Sequence, residues 1–199
     1  MSDTDLSSRI RQRREQLSLS QEELAARMGY RSKSSITKLE KGINDLPRAK
    51  LEELAAALKN VIALSCGVCD GLGYQDNTKA LLMTRAMAEI TRLGEKLGGS
   101  RQTFGGLAGM GDLIVTCTSM HSRNLHAGML IGRGKDVETA KKEVGQVVEG
   151  INALPAACKL AKKYKVEMPI VNAVDDILSG RLAARDALAT MMGRQLKQE

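Results

Sequence analysis

The chain has no tryptophan, one phenylalanine and three tyrosines in 199 residues, so aromatic side chains make up 2% of it, and it holds only three prolines. Sheet-rich folds draw on aromatic and β-branched residues and punctuate their strands with turn formers, and this composition gives them little support. Long stretches of Ala, Leu, Lys, Glu and Met favour helix, so an all-α fold is expected. No apolar run approaches the roughly eighteen residues of a membrane span, and no membrane partner is expected. The opening residues MSDTDLSS are polar and acidic, unlike a secretory signal or a transit peptide; a cytoplasmic location is the expectation. His121 and His126 have no carboxylate or cysteine set at ligand spacing beside them, and no metal is expected.

Cysteine is scarce too: Cys66, Cys69, Cys117 and Cys158 lie within or beside apolar stretches. In a chain this long, with that expected compartment, they do not suggest a disulfide framework. Cys66 and Cys69 have redox spacing and would share one helical face, but no second CxxC or His pair accompanies them. Buried small hydrophobes is the favoured reading. The remaining composition, 43% apolar and 27% charged, is that of a globular protein. The net charge of +7 invites a nucleic-acid partner. Yet residues 1–58 carry 11 basic against 9 acidic side chains, while the rest carries 19 against 14. A DNA reading must therefore rest on motif placement rather than on charge.

Residues 1–58 parse as four short helices. The first, about Leu6 to Leu17, directs Ile10 and Leu17 inward and an arginine-rich face (Arg9, Arg11, Arg13, Arg14) outward. In LSLSQEELAARMG, Ser20 with Glu23 three residues on is a capping box. Leu24, Ala25 and Met28 form the apolar face there, and Gly29 ends the helix. SKSSITKLEKG makes a third helix with Ile36 and Leu39 inward and Gly42 as terminator. Pro47 opens a fourth, a good first-turn position for proline. The pattern Gly29-Tyr30, Ser32 to Ile36, Lys38, Glu40, Gly42 and Asn44-Asp45 resembles the lambda-repressor and Cro-like helix-turn-helix family of phage-type repressors. That resemblance implies a second motif helix lying in the DNA major groove, usually within a dimer. Gln21 would fix the motif's first helix to phosphate or base. Ser32, Lys33, Ser34, Ser35, Thr37 and Lys38 would be the readers and phosphate contacts; solvation of an exposed helix is the plain alternative for the lysines.

No linker follows. Between Pro47 and Ser65 there is no glycine or proline, and Leu51, Leu54, Ala55, Leu58 and Ile62 keep helical spacing. One continuous helix, shared across about residues 47–65, is expected to join a domain of residues 1–58 to one of residues 59–199. From LKNVIAL onward, the runs CDGLGYQDNTKALLMTRAMAEITRLGEKLGG, TFGGLAGMGDLIVTCTS, HSRN, GQVVEG and VEMPI resemble the C-terminal domain of bacterial NAD(P)-dependent glycerol-3-phosphate dehydrogenase, through about Arg194. The resemblance implies an all-helical bundle that contributes to dimerisation. It further implies that Lys59 handles the proton of the substrate hydroxyl and that Asp112 supports Lys59 and binds substrate. Asn60, Thr116, Ser122, Arg123 and Asn124 would line the substrate and its phosphate, and Arg123, Val147 and Glu149 would touch the cofactor. A lysine base needs a carboxylate to orient it and burial to lower its pKa.

Two departures qualify this. Where the family continues its phosphate site with further basic residues, this chain reads Leu125-His126-Ala127-Gly128, which would weaken phosphate capture. No strand followed by GxGxxG occurs in the 199 residues, so no cofactor is expected for this chain alone, although the family uses NAD(P). Hydride transfer needs a nicotinamide held about 3–3.5 Å from the substrate carbon. Lys59 is therefore expected on a solvated helix face, without a reaction of its own. The tail ATMMGRQLKQE reads as an amphipathic helix end with Met191 and Met192 in the core. The leading functional reading is a double-stranded DNA-binding head on a catalytically incomplete dehydrogenase domain, a recombined or engineered chimera whose second part serves as a dimerisation body. The alternatives are a regulator that senses glycerol 3-phosphate weakly, a substrate-binding half active only with a nucleotide-binding domain in trans, and a fusion in which neither function survives.

Overall fold

The computed structural model describes residues 6–30, 32–41, 48–97, 101, 104 and 107–192, and these divide between two compact units, Met1–Ala49 and Lys50–Glu199. Among the described residues there are eleven helices and no strand, as the composition implied. Gly42, Asn44, Asp45, Pro47 and Arg194, and the side chains of Arg9 and Met192, lie outside what is described.

The first unit contains α1 (Leu6–Gln16), α2 (Gln21–Arg27) and α3 (Lys33–Glu40). α1 stops at Gln16 because Ser18 takes a positive φ of 52°, a conformation that cannot continue a right-handed helix. That turn leaves Leu17 50% exposed, correcting its expected inward placement. Ser20 then starts α2 with both halves of the capping box: its hydroxyl accepts from the Glu23 N–H, and the Glu23 carboxylate accepts from the Ser20 N–H. α2 ends before Gly29, whose φ of +75° suits glycine. Met28, the cap residue, has already left the helical periodicity and is 52% exposed, not part of the apolar face. The core of this unit is Ala25 and Ile36, fully enclosed, with Ile10, Leu24 and Leu39 half-buried. Arg14 is also misplaced by the outer-face reading. Its side chain is 13% exposed and forks onto Glu40, which is 5% exposed, while donating to the Leu19 carbonyl. α3 is thereby tied to both α1 and the turn before α2.

The larger unit is organised around α4 (Arg48–Gly71). Within it Glu53–Gly71 is long and apolar enough by length and composition to cross a membrane, against the expectation that no run would be, and more than half of it is buried inside the fold. Val61 through Cys69 are enclosed without interruption, so the helix is apolar all round because neighbours cover it on all sides. Around it come α5 (Asp76–Lys96), α6 (Leu107–Thr118), α7 (Arg123–Gly132), α8 (Val137–Val144), α9 (Glu149–Tyr164), α10 (Pro169–Leu178) and α11 (Ala184–Met192).

α4 and α7 cross at backbone contact. A Cβ on Gly67 would stand 2.9 Å from the Gly128 Cα, and one on Gly71 would stand 2.8 Å from the Gly132 Cα. Both pairs are spaced four residues apart on their helices, so two glycine notches interlock. The backbones of Leu125 and Gly128 meet α4 in this crossing; Ala127 is enclosed as well, and of residues 125–128 only His126 faces out. Elsewhere the buried Glu89 of α5 accepts the N–H of Ile170 at 2.8 Å and so caps α10 from a distance. Arg85 donates to the Met191 carbonyl at 2.6 Å at the end of α11, and Met191 is buried as expected.

Candidate functional site

In the larger unit, α4 delivers Lys59 and Asn60 side by side just before its fully enclosed stretch. Lys59 does not lie on the solvated helix face expected for it: its side chain is 18% exposed, and its Nζ forms an ion pair with a carboxylate oxygen of Asp112 from α6. Burial pushes the Lys59 ammonium below the ordinary lysine value, while a carboxylate on the same nitrogen favours the charged form. Asp112 is 54% exposed, so the pair faces an opening on that side. One turn on, the Thr116 hydroxyl donates to the Asp112 carbonyl at 2.7 Å and fills its own helix's acceptor.

The starts of α7 and α9 are brought to the middle of α4, around Asn60. Ser122 caps α7, accepting from the Leu125 N–H at 3.3 Å, and Arg123 is exposed in the first turn. Asn124 is 7% exposed, and its side-chain oxygen accepts the Gly150 N–H at 2.8 Å. Asn60 in turn donates to the Glu149 carboxylate at 2.9 Å. Gly150 has to be glycine: a Cβ there would lie 2.9 Å from the Asn60 carbonyl carbon and 3.0 Å from the Asn124 oxygen. Lys59 and Asp112 are thus one cluster, and Asn60, Asn124, Glu149 and Gly150 a second one beside it through the neighbouring Lys59–Asn60 positions. Val147 is 59% exposed, and Glu149 is exposed while bonded to Asn60. Arg123, Val147 and Glu149 could touch a nicotinamide cofactor from this side. The described residues do not form a dinucleotide holder, since the phosphate-cradling turn of such a holder follows a strand.

Of the cysteines, Cys117 of α6 lies close enough to Lys59 to act on its charge. Cys66, Cys69 and Cys117 are fully enclosed and unpaired by disulfide, and Cys158 is half-buried. The hydrogen bond with the Cys117 thiol, and then burial, push Cys66 upward, and burial pushes Cys69 up to about 12. A thiol so placed is a packing group. His121 and His126 are both exposed.

In the smaller unit, α3 presents Lys33, Ser34 and Lys38 to solvent, with Ser32 just ahead of it. The Ser32 and Ser34 hydroxyls hydrogen-bond each other at 2.5 Å, and Lys33 is paired with Glu22 at 2.7 Å. Ser35 and Thr37 are half-buried. Gln21 is committed inward: its amide donates to Glu40 at 2.7 Å, and its oxygen accepts from Thr37 at 2.8 Å. Gln21 and Thr37 therefore hold α2 against α3, and the exposed polar groups of α3 are Lys33, paired with Glu22, Ser34, bonded to Ser32, and Lys38. Sequence reasoning misses Arg14 and Glu40, the pair on which this network closes; an arginine and a glutamate 26 positions apart carry no local signal. It also misses Gly150 and the α4–α7 glycines, although the four-residue spacing of Gly67 with Gly71 and of Gly128 with Gly132 is visible in the chain.

Residues 52–189 match the family described as the C-terminus of NAD-dependent glycerol-3-phosphate dehydrogenase, and residues 5–59 match a helix-turn-helix domain. The chain is 62% identical over 147 residues to glycerol-3-phosphate dehydrogenase [NAD(P)+] 2 of Lactobacillus delbrueckii subsp. bulgaricus, an alignment covering 74% of the chain and 44% of that protein. It is 57% identical, over the same shares, to glycerol-3-phosphate dehydrogenase [NAD(P)+] of Clostridium perfringens. Among solved structures, glycerol-3-phosphate dehydrogenase from Coxiella burnetii superposes with a TM-score of 0.69 at 38% identity, covering 71% of this chain and 44% of that one. The chain thus spans less than half the length of these relatives.

Proposed function

Since the chain belongs to the family of NAD-dependent glycerol-3-phosphate dehydrogenase C-terminal domains and carries a helix-turn-helix domain ahead of it, we propose that it is a DNA-binding polypeptide whose larger unit keeps the substrate-side wall of a dehydrogenase cleft. The observation that carries the second half of this reading is the Lys59–Asp112 pair, part-buried yet open on the Asp112 side. In that wall Lys59 would hold or release a proton at the hydroxyl of a glycerol phosphate, and Asp112 would orient it. The exposed Arg123 would offer a planar fork to the phosphate. Asn60 and Asn124 would position rather than bind, because their amides already hold the start of α9. NAD(P), when bound, supplies the hydride acceptor in the relatives' reaction. These residues would touch it from one side, so hydride transfer is not proposed for this chain alone.

The DNA-binding half rests on the placement of Lys33, Ser34 and Lys38 on the open side of α3. A homodimer, cytoplasmic and engaging two half-sites, completes the proposal. The test is binding of purified full-length chain to random and to selected duplexes across a salt series. Binding that steepens at low salt and prefers a selected sequence supports the reading, and no binding at any salt rejects it. A second reading, in which the unit completes a dehydrogenase supplied with a dinucleotide-binding domain in trans, is favoured by the same intact Lys59–Asp112 pair. NADH oxidation with dihydroxyacetone phosphate, only when that separate domain is added, would support it; no turnover in the mixture would reject it.

A further inference from the structure

α3 faces DNA in the proposed function, and the acidic Glu22 of α2 stands beside its basic and hydroxyl groups. Glu22, the second residue of α2, points away from the unit while its neighbour Gln21 is bound inward to Thr37 and Glu40. Its carboxylate lies 2.7 Å from the ammonium of Lys33, the first residue of α3. The side chains are 59% and 63% exposed, so the pair is open to competition from solvent-borne anions. The hydrogen bond from Lys33 holds the Glu22 carboxyl below the ordinary glutamate range, so Glu22 is ionised at neutral pH.

We infer that Glu22 is an internal competitor for DNA phosphate: it occupies Lys33 in the free protein and sets how strongly the α3 face binds duplex. The inference rests on the DNA-binding reading above. A phosphate that reaches Lys33 has to displace the Glu22 carboxylate paired with it, and that carboxylate remains beside it as a like charge. Lys38, exposed on the same helix and without an ion pair among the described residues, carries no such competitor. Phosphate attraction supplies nearly all of the affinity for random duplex, so that affinity is where the competition is read.

The experiment compares full-length wild type, Glu22→Gln, Lys33→Met and the double variant on a mixed-sequence DNA duplex over a salt series, with thermal melts to show that each is folded. Glu22→Gln is expected to bind about 2–5-fold tighter at low salt, in line with the strength of exposed ion pairs, and the gain should shrink as salt rises. Glu22→Ala should reproduce it. In the Lys33→Met background the same substitution should give no gain. Wild-type binding that Glu22→Gln leaves unchanged overturns the inference while the DNA reading stands. A gain equally large without Lys33 also overturns it, because Glu22 would then act by its field alone. Absence of binding by wild type and Glu22→Gln alike removes the DNA reading and this inference with it.

Discussion

Gly128 and Gly111 both sit inside helices, on α7 and α6, and the same substitution to alanine should move stability in opposite directions at the two. In a helix interior alanine is favoured over glycine by about 1 kcal/mol. At Gly111, exposed and with nothing within 4 Å of where an added methyl group would stand, that preference acts alone. At Gly128 the methyl would stand 2.9 Å from the Gly67 Cα and the Val68 nitrogen, and closer still to the Leu64 carbonyl oxygen. These are backbone atoms of α4, so no side chain can swing aside, and the two helices have to separate. Overpacking a filled core costs about 1–3 kcal/mol, and a backbone-on-backbone clash belongs at the upper end. Less the propensity gain, Gly128→Ala should lose about 2 kcal/mol. For a unit of this size each kcal/mol is about 2–4 °C, so Gly128→Ala should melt roughly 4–8 °C lower and Gly111→Ala up to about 4 °C higher. Far-UV circular dichroism during heating measures both. A Gly128→Ala protein that melts at or above wild type, or equal losses at both positions, would refute the interlocked crossing.

Three further outcomes follow from the geometry. Lys59→Met should be no less stable than wild type at pH 7, because burial holds the wild-type ammonium at a disadvantage and the Asp112 left behind is half exposed. The unfolded lysine keeps its proton up to its ordinary 10.5, so between the folded and unfolded pKa the unfolded chain binds more protons and wild-type stability should rise with pH there. Urea melts should show that rise in wild type and not in Lys59→Met. Arg14→Met should destabilise the first unit, and Arg14→Met/Glu40→Met should recover part of the loss by removing the orphaned carboxylate. Arg14 holds Glu40 below the ordinary glutamate range, stability that is present above the unfolded pKa and lost as pH falls through the folded one. Acid unfolding of Arg14→Met followed by circular dichroism should accordingly begin at higher pH than in wild type. Finally, a thiol reagent should label one cysteine of four rapidly in the native protein, the half-buried Cys158, and all four in denaturant; rapid labelling of Cys66 or Cys69 would contradict their packing.

How far each feature is legible depends on how local its cause is. The capping box at Ser20 and Glu23 and the stop at Gly29 involve contacts within four residues, and they stand in the structure as read. The inward placements of Leu17 and Met28 fail at helix ends, where a positive φ at Ser18 and a cap at Met28 break the periodicity that the inference uses. Lys59 reads as solvated because the sequence shows no dinucleotide-binding motif to complete its cleft; its burial, and its pairing with Asp112, 53 positions later, depend on the packed helices. Asn60 and Asn124 are assigned to substrate by resemblance, and their bonds to Glu149 and Gly150 stay invisible until α4, α7 and α9 have met.

What the amino-acid order settled by itself was the helical class, through composition and side-chain periodicity, and the start and stop of α2, through hydrogen bonds within a single stretch; the two family resemblances rest on its motifs. What only the assembled fold decided was which polar groups remain available. Gln21 and Thr37 are spent on each other, Lys33 is shared with Glu22, and Lys59 is drawn out of water onto Asp112. Hydration and pairing of a charged group depend on every element that packs against it, and no one stretch of chain contains them all.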